Sequence, residues 1–163
     1  MKSPPENEIL FNSLIKENSR IINSVCYFYS SEIIPFEDLR QEVYINIWKG
    51  LNQFRSESKV STWIYRVAIN TALMAIRTGK KIINTVPIGP MVFNISHETD
   101  NSQKDRIETL NSLIDKLDEI EKAIILLWLD EYSYEEIAET MGMKKSNVAT
   151  KIFRIKEKLS KLK

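Results

Sequence analysis

The sequence predicts an all-α protein of two small helical domains joined by a linker, the C-terminal domain containing a helix-turn-helix. Three observations carry that expectation. Helix formers dominate a chain of 163 residues that holds only 4 Gly and 5 Pro. Apolar residues recur at helical spacing through both halves. Between the halves, Gly79, Pro87, Gly89 and Pro90 fall among Asn, Ser, His and Asp, residues that interrupt regular structure. The division is therefore 1–78 for the first domain, 79–105 for the linker and 106–163 for the second domain. Domains this small bury a limited share of their surface and are marginally stable alone.

The elements follow in order. Residues 9–29 read as one helix, with Ile9, Leu10, Leu14, Ile21, Ile22, Val25 and Phe28 near helical spacing and Pro5 shortly before it. Ser30 to Pro35 is a break. From Phe36 to Leu51, Leu39, Val43, Tyr44, Ile47, Trp48 and Leu51 make an apolar stripe, while Asp38, Gln41, Glu42, Asn46 and Lys49 occupy the other face. A polar stretch, Arg55 to Lys59, precedes a helix from about Ser61 to Arg77 with Trp63, Ile64, Val67, Ala68 and Leu73 as its core positions. The linker is unusually apolar for a free tether, with Ile82, Ile83, Val86, Ile88, Met91, Val92, Phe93 and Ile95, so part of it is expected to lie on a surface. Helical period returns at Arg106. One stripe comprises Ile107, Leu110, Leu113, Ile114 and Leu117, and another Ile120, Ala123, Ile124, Leu127 and Trp128. Two more helices start near Tyr134 and Ser146. Trp48 and Trp128 are expected in the cores.

The net charge of +1 is uninformative until it is divided. Residues 106–140 carry 3 basic and 10 acidic side chains, and residues 141–163 carry 8 and 1, for nets of −7 and +7. A terminal basic block attracts polyanions, although a basic helix end is also favoured by the helix dipole. The two blocks are complementary and are placed to pair with each other across the domains, or with an inhibitor. Cys26 is the only cysteine, so no intramolecular disulfide forms, in keeping with a reducing, cytoplasmic setting. It lies in an apolar helix and is expected to be a small core residue. The N-terminus lacks the apolar stretch of a secretory signal, and no run approaches the ~20 apolar residues that span a membrane.

The sharpest local signal runs from Ser133 to Val148. Ser133 and Glu136 have the spacing of a capping box, in which hydroxyl and carboxylate each satisfy a free backbone N–H. Ala138 is small where two helices cross, Gly142 lies where the chain must leave the first helix, and Val148 is placed to pack back on it. That is the helix-turn-helix layout. The second helix carries Thr150, Lys151, Phe153, Arg154, Lys156 and Lys158. An α-helix fits the major groove, Arg pairs bidentately with guanine, and lysines meet phosphates.

Two separated blocks resemble one family. Asp38-Leu39-Arg40-Gln41-Glu42-Val43-Tyr44-Ile45-Asn46-Ile47-Trp48, then Phe54-Arg55 and Ser61-Thr62-Trp63-Ile64-Tyr65-Arg66-Val67-Ala68-Ile69-Asn70, resemble the first conserved domain of extracytoplasmic-function (ECF) RNA polymerase sigma factors. The segment from Leu117 through the helix-turn-helix to Leu159 resembles their second domain. The resemblance implies that Asp38, Gln41 and Glu42 dock on core RNA polymerase. It implies that Phe54, the Arg55–Lys59 loop and Asn70 read the promoter element nearer the start, holding one base drawn from the stack, with Trp63 and Tyr65 assisting by packing or stacking. It further implies that Thr150, Lys151, Phe153, Arg154 and Lys158 read the more distant element, and that an anti-sigma factor restrains the protein. Departures from the family pattern are Asp118 where Pro is usual after the leucine, Lys122 for Arg, Lys144 where Ser or Thr commonly caps the recognition helix, and Ala149 at an often basic position.

Catalysis has little foothold. The carboxylates of Asp38 and Glu42 have no histidine or metal-ligand cluster beside them, and no phosphate-binding glycine motif occurs. His97, the single histidine, reads as a solvated linker residue. No cofactor or metal is expected. A stand-alone helix-turn-helix regulator would explain residues 133–163 but leave the N-terminal block without a task. A protein-interaction decoy that reads no DNA is the third class.

Overall fold

The computed structural model describes residues 4–54, 57–83 and 101–162. Those residues form eight α-helices and one 3-10 turn: α1 (Pro4–Glu17), α2 (Ser19–Tyr29), α3 (Phe36–Gly50), the turn Leu51–Gln53, α4 (Val60–Ile83), α5 (Asn101–Ile114), α6 (Glu119–Leu129), α7 (Tyr134–Met141) and α8 (Lys145–Ser160). The helices fall into two compact units, α1–α4 and α5–α8.

The first helical stretch is two helices, where the sequence predicts one. Asn18 breaks it. Its side-chain amide donates to the carbonyl of Leu14 at 2.9 Å, sharing that oxygen with its own backbone N–H at 3.1 Å, and its φ of −110° and ψ of 17° leave the helical region. Pro4 and Pro5 occupy the first turn of α1, where a missing N–H leaves nothing unsatisfied. After Pro35, α3 opens with Glu37 and Asp38 in its first turn, the favourable sign for a helix N-terminus.

Helix α4 runs on through Gly79 to Ile83, several residues past the predicted end near Arg77. Gly79 acts as a contact point here, since a Cβ would sit 3.3 Å from Ile33 Cγ2. Helix α5 likewise starts at Asn101, inside the stretch read as linker. Expectations placed on residues 84–100, His97 among them, lie outside the described residues.

The core of the first unit joins Ile22, Val25 and Cys26 of α2 with Leu39, Val43 and Ile47 of α3 and Ile64, Tyr65, Ala68, Ile69 and Ala72 of α4. Tyr65 is wholly buried, so it packs and does not stack on a ligand. Burial pushes the Cys26 thiol up from 9.0 to about 12. Val67 and Leu73 are only half-buried. Trp48 is not core, as its 44 % exposure shows. It lies on the flank of α3, edge-on to Phe11 of α1 with ring centres 5.3 Å apart.

In the second unit, Leu113, Ile114 and Leu117 pack with Ala123–Leu127 of α6, Ile137 and Ala138 of α7, and Val148, Ile152 and Ile155 of α8. Leu110, expected in that stripe, is 40 % exposed. Trp128 is half-buried at the edge of the core. Asp118, in place of the family's proline, is the N-cap of α6. Its carboxylate accepts from the N–H groups of Ile120 and Glu121, and Glu121 accepts the N–H of Asp118, closing a capping box.

Candidate nucleic-acid interface

The helix-turn-helix forms as its spacing predicts. Ser133 Oγ accepts from the Glu136 N–H at 3.2 Å, and Glu136 Oε2 accepts from the Ser133 N–H at 2.9 Å. Gly142 has φ 64° and ψ 36°. The Met143 N–H bonds to Ala138 O and the Gly142 N–H to Glu139 O, which is a Schellman ending. Lys144 precedes α8 without a side-chain cap, and Val148 is fully buried against the unit.

On α8, Val148, Ile152 and Ile155 face inward. Thr150, Phe153 and Arg154 face outward, Phe153 with 66 % of its surface exposed. The Thr150 hydroxyl donates to Ser146 O at 3.0 Å, which leaves its methyl and an oxygen lone pair to the outside. Ser146 and Asn147 are exposed at the start of the same helix. Nothing in their chemistry singled them out, and helical period was the one available signal. Lys151 is half-buried on the flank. Lys158 is engaged, its ammonium lying 2.7 Å from Glu121 Oε2.

The complementary charge blocks pair inside this one unit. Besides Lys158–Glu121, Lys145 of α8 bonds to Glu135 of α7, a contact that holds the Glu135 carboxyl below its ordinary range. Lys156 lies 3.9 Å over the Trp128 ring.

In the first unit, Phe54 and Trp63 form a pair with ring centres 4.9 Å apart and planes tilted by 35°. The fold brings them together by turning the chain after α3: the Phe54 N–H reaches back to Gly50 O, and the Trp63 N–H bonds to Lys59 O at the start of α4. Trp63 lies directly over Gly50, where a Cβ would meet Trp63 Cζ2 at 2.9 Å. Asn70 is exposed on α4. Seven residues past Trp63, it shares that residue's helix face about two turns further on. Arg55 lies outside the described residues.

Asp38, Gln41 and Glu42 are exposed on α3, away from Leu39, Val43 and Ile47. The sequence reading missed Ile45, which is 45 % exposed at helical spacing from Gln41 and Glu42. Asp38 and Glu42 also line a groove of about 390 Å³, together with Ile33, Ile34, Leu39 and Ala75. Its walls are tied by Asn46 of α3, which donates to Thr71 Oγ1 of α4 at 3.0 Å. Among the described residues no cluster of three metal-ligating side chains occurs, and no helix is long and apolar enough to cross a membrane.

Comparison with known proteins meets this geometry on both units. Family models match residues 14–82 as Sigma-70 region 2 and residues 107–159 as Sigma-70 region 4. The chain is 31% identical to the RNA polymerase sigma-H factor of Pseudomonas aeruginosa, over 77% of this chain and 71% of that protein. It is 29% identical to the ECF RNA polymerase sigma-E factor of Haemophilus influenzae, over 90% and 84%. Its fold matches the sigma factor RpoE of Bartonella quintana, solved with the anti-sigma factor NepR, with a TM-score of 0.75, 17% identity, and coverage of 93% and 95%. With both conserved regions present in the family's order, one carrying a capped helix-turn-helix and the other a paired Phe54–Trp63, the chain belongs to the ECF sigma factors of the Sigma-70 family, which direct promoter-specific transcription initiation.

Proposed function

We propose that residues 1–78 dock on core RNA polymerase and open the promoter, that 79–105 link, and that 106–163 read the distal promoter element. Asp38, Gln41 and Glu42 carry the docking. Phe54, Arg55, Trp63 and Asn70 handle the proximal element. An aromatic platform contributes about 1–3 kcal/mol per stacked base, and the Asn70 amide is suited to an exposed base edge. Thr150, Lys151, Phe153 and Arg154 meet the distal element, Arg154 as the bidentate donor; Lys158, expected among them, is tied to Glu121 instead. The protein works without a cofactor and without catalysis of its own, in the cytoplasm, and an anti-sigma factor is its regulatory partner.

The observation that supports this best is the pairing of Phe54 with Trp63 on the helix face that also carries Asn70. It gives the first unit a base-binding feature that a stand-alone regulator has no use for. Reconstitution with core polymerase tests it. The chain is expected to co-purify with core and to support run-off transcription. Phe54→Ala and Asn70→Ala are expected to reduce promoter opening more than closed-complex binding. Tight sequence-specific binding by the free protein, with no affinity for core, would favour the stand-alone reading.

A further inference from the structure

We propose that Lys156 and Lys158 are positioning residues that lock α8 across α6, and that neither is a phosphate contact of the DNA complex. The inference rests on the reading that α8 enters DNA. Two residues apart on a helix, the lysines point about 200° from each other, so they leave α8 on opposite sides of the stripe Val148–Ile152–Ile155. Both turn down onto α6. Lys156 sits 3.9 Å over the ring of Trp128, near the C-terminal end of α6. Lys158 donates at 2.7 Å to Glu121, in the first turn of α6. Glu121 and Trp128 are seven residues apart on one face of α6, so the two cations straddle the point where α8 crosses it.

Glu121 makes the arrangement specific. The oxygen that accepts from Lys158 also accepts the Asp118 N–H, so one carboxylate closes the α6 cap and holds α8. Its side chain is only 19% exposed, against 43% for Lys158. Moving Lys158 to a phosphate would strand a partly desolvated carboxylate close to DNA, which opposes the transfer. The outer face of α8, with Thr150, Phe153 and Arg154, is aimed by this straddle.

The test is the affinity of reconstituted holoenzyme for a promoter fragment across a salt series. Glu121→Gln keeps the capping box, which accepts Gln at that position, and removes the ion pair. Positioning predicts that Glu121→Gln and Lys158→Met each weaken binding roughly two- to fivefold, with an unchanged salt slope. The double variant is expected to be no worse than either single one, and Lys158→Arg to restore binding. Lys156→Met is expected to behave like Lys158→Met. A slope reduced by about 0.9 in Lys158→Met, or tighter binding by Glu121→Gln as Lys158 is released to the phosphates, overturns the inference. Arg154→Ala separates the two levels. If it loses affinity as expected while Lys158→Met changes the slope, only the straddle falls. If Arg154→Ala is silent, the DNA role of α8 falls and the straddle with it.

Discussion

Arg154 projects from the outer face of α8, one residue beyond a phenylalanine that is two-thirds exposed. A guanidinium there has reach and no competing core task. Arg154→Ala is expected to weaken recognition of the distal element by about 1–3 kcal/mol, measured as the difference in holoenzyme affinity between an intact and a scrambled element. Equal loss on both would make Arg154 a phosphate contact. At the other unit, Gly50 is the residue whose smallness matters, because Trp63 fills the place of its side chain. Gly50→Ala is expected to displace the Trp63 ring, alter tryptophan emission and slow promoter opening; an unchanged emission spectrum would show that the ring is not seated there. Cys26 gives a pH test. Its native thiol ionises near 12 against 9.0 ordinarily, so between those values the unfolded chain has lost a proton that the native chain keeps. Stability therefore falls as pH rises above about 9 and is untouched by this group below that. At pH 8 a thiol reagent is expected to label Cys26 only in denaturant, and rapid native labelling would contradict its burial. These residue types were readable in the sequence, but their partners were not. Trp48 and Trp63 both stand at apolar helical positions, and only the packing of Phe11 and Gly50 separates a surface aromatic from a seated one.

At the scale of elements, local chemistry that satisfies backbone groups was the most legible. Ser133, Glu136 and Gly142 start and stop α7 where their spacing placed them, because each supplies a bond or a left-handed turn that other residues provide poorly. Gly142→Ala is expected to destabilise the second unit by about 1 kcal/mol, read as a lowered thermal midpoint; open space where the Cβ would go leaves backbone conformation as the sole cause. Ser133→Ala is expected to cost about 0.5–2 kcal/mol. Where competing signals met, the sequence misled. The apolar period carried straight through Asn18, where the backbone leaves the helical region and the side-chain amide bonds back to Leu14. Gly79 looked like a terminator and is a close-packing position within α4. Asp118 stood out only as a missing proline, while in the fold it caps α6 with Glu121, whose further tie to Lys158 spans 37 residues and leaves no local trace.

The whole molecule consists of two helical units, and the strong charge segregation lies within the second. A net of −7 followed by +7 marks the second unit, and part of that complementarity is met inside it, by Lys145–Glu135 and Lys158–Glu121. A count of the basic side chains on α8 thus overstates those left outside ion pairs within the unit, and a nearly neutral chain still carries a locally basic helix. The two-unit architecture was legible because each half carries its own apolar period and its own family strings. On the proposed function, two surfaces on one chain, Phe54–Trp63–Asn70 and Thr150–Phe153–Arg154, engage separate stretches of one promoter while core polymerase holds both. The most direct measurement is a footprint of reconstituted holoenzyme on a promoter, read together with the reactivity of unpaired thymines. Two protected segments are predicted, with Arg154→Ala losing protection only at the distal one and Phe54→Ala losing thymine reactivity while both segments remain protected. A single protected segment, or loss of both signals from either substitution in a folded protein, would contradict it.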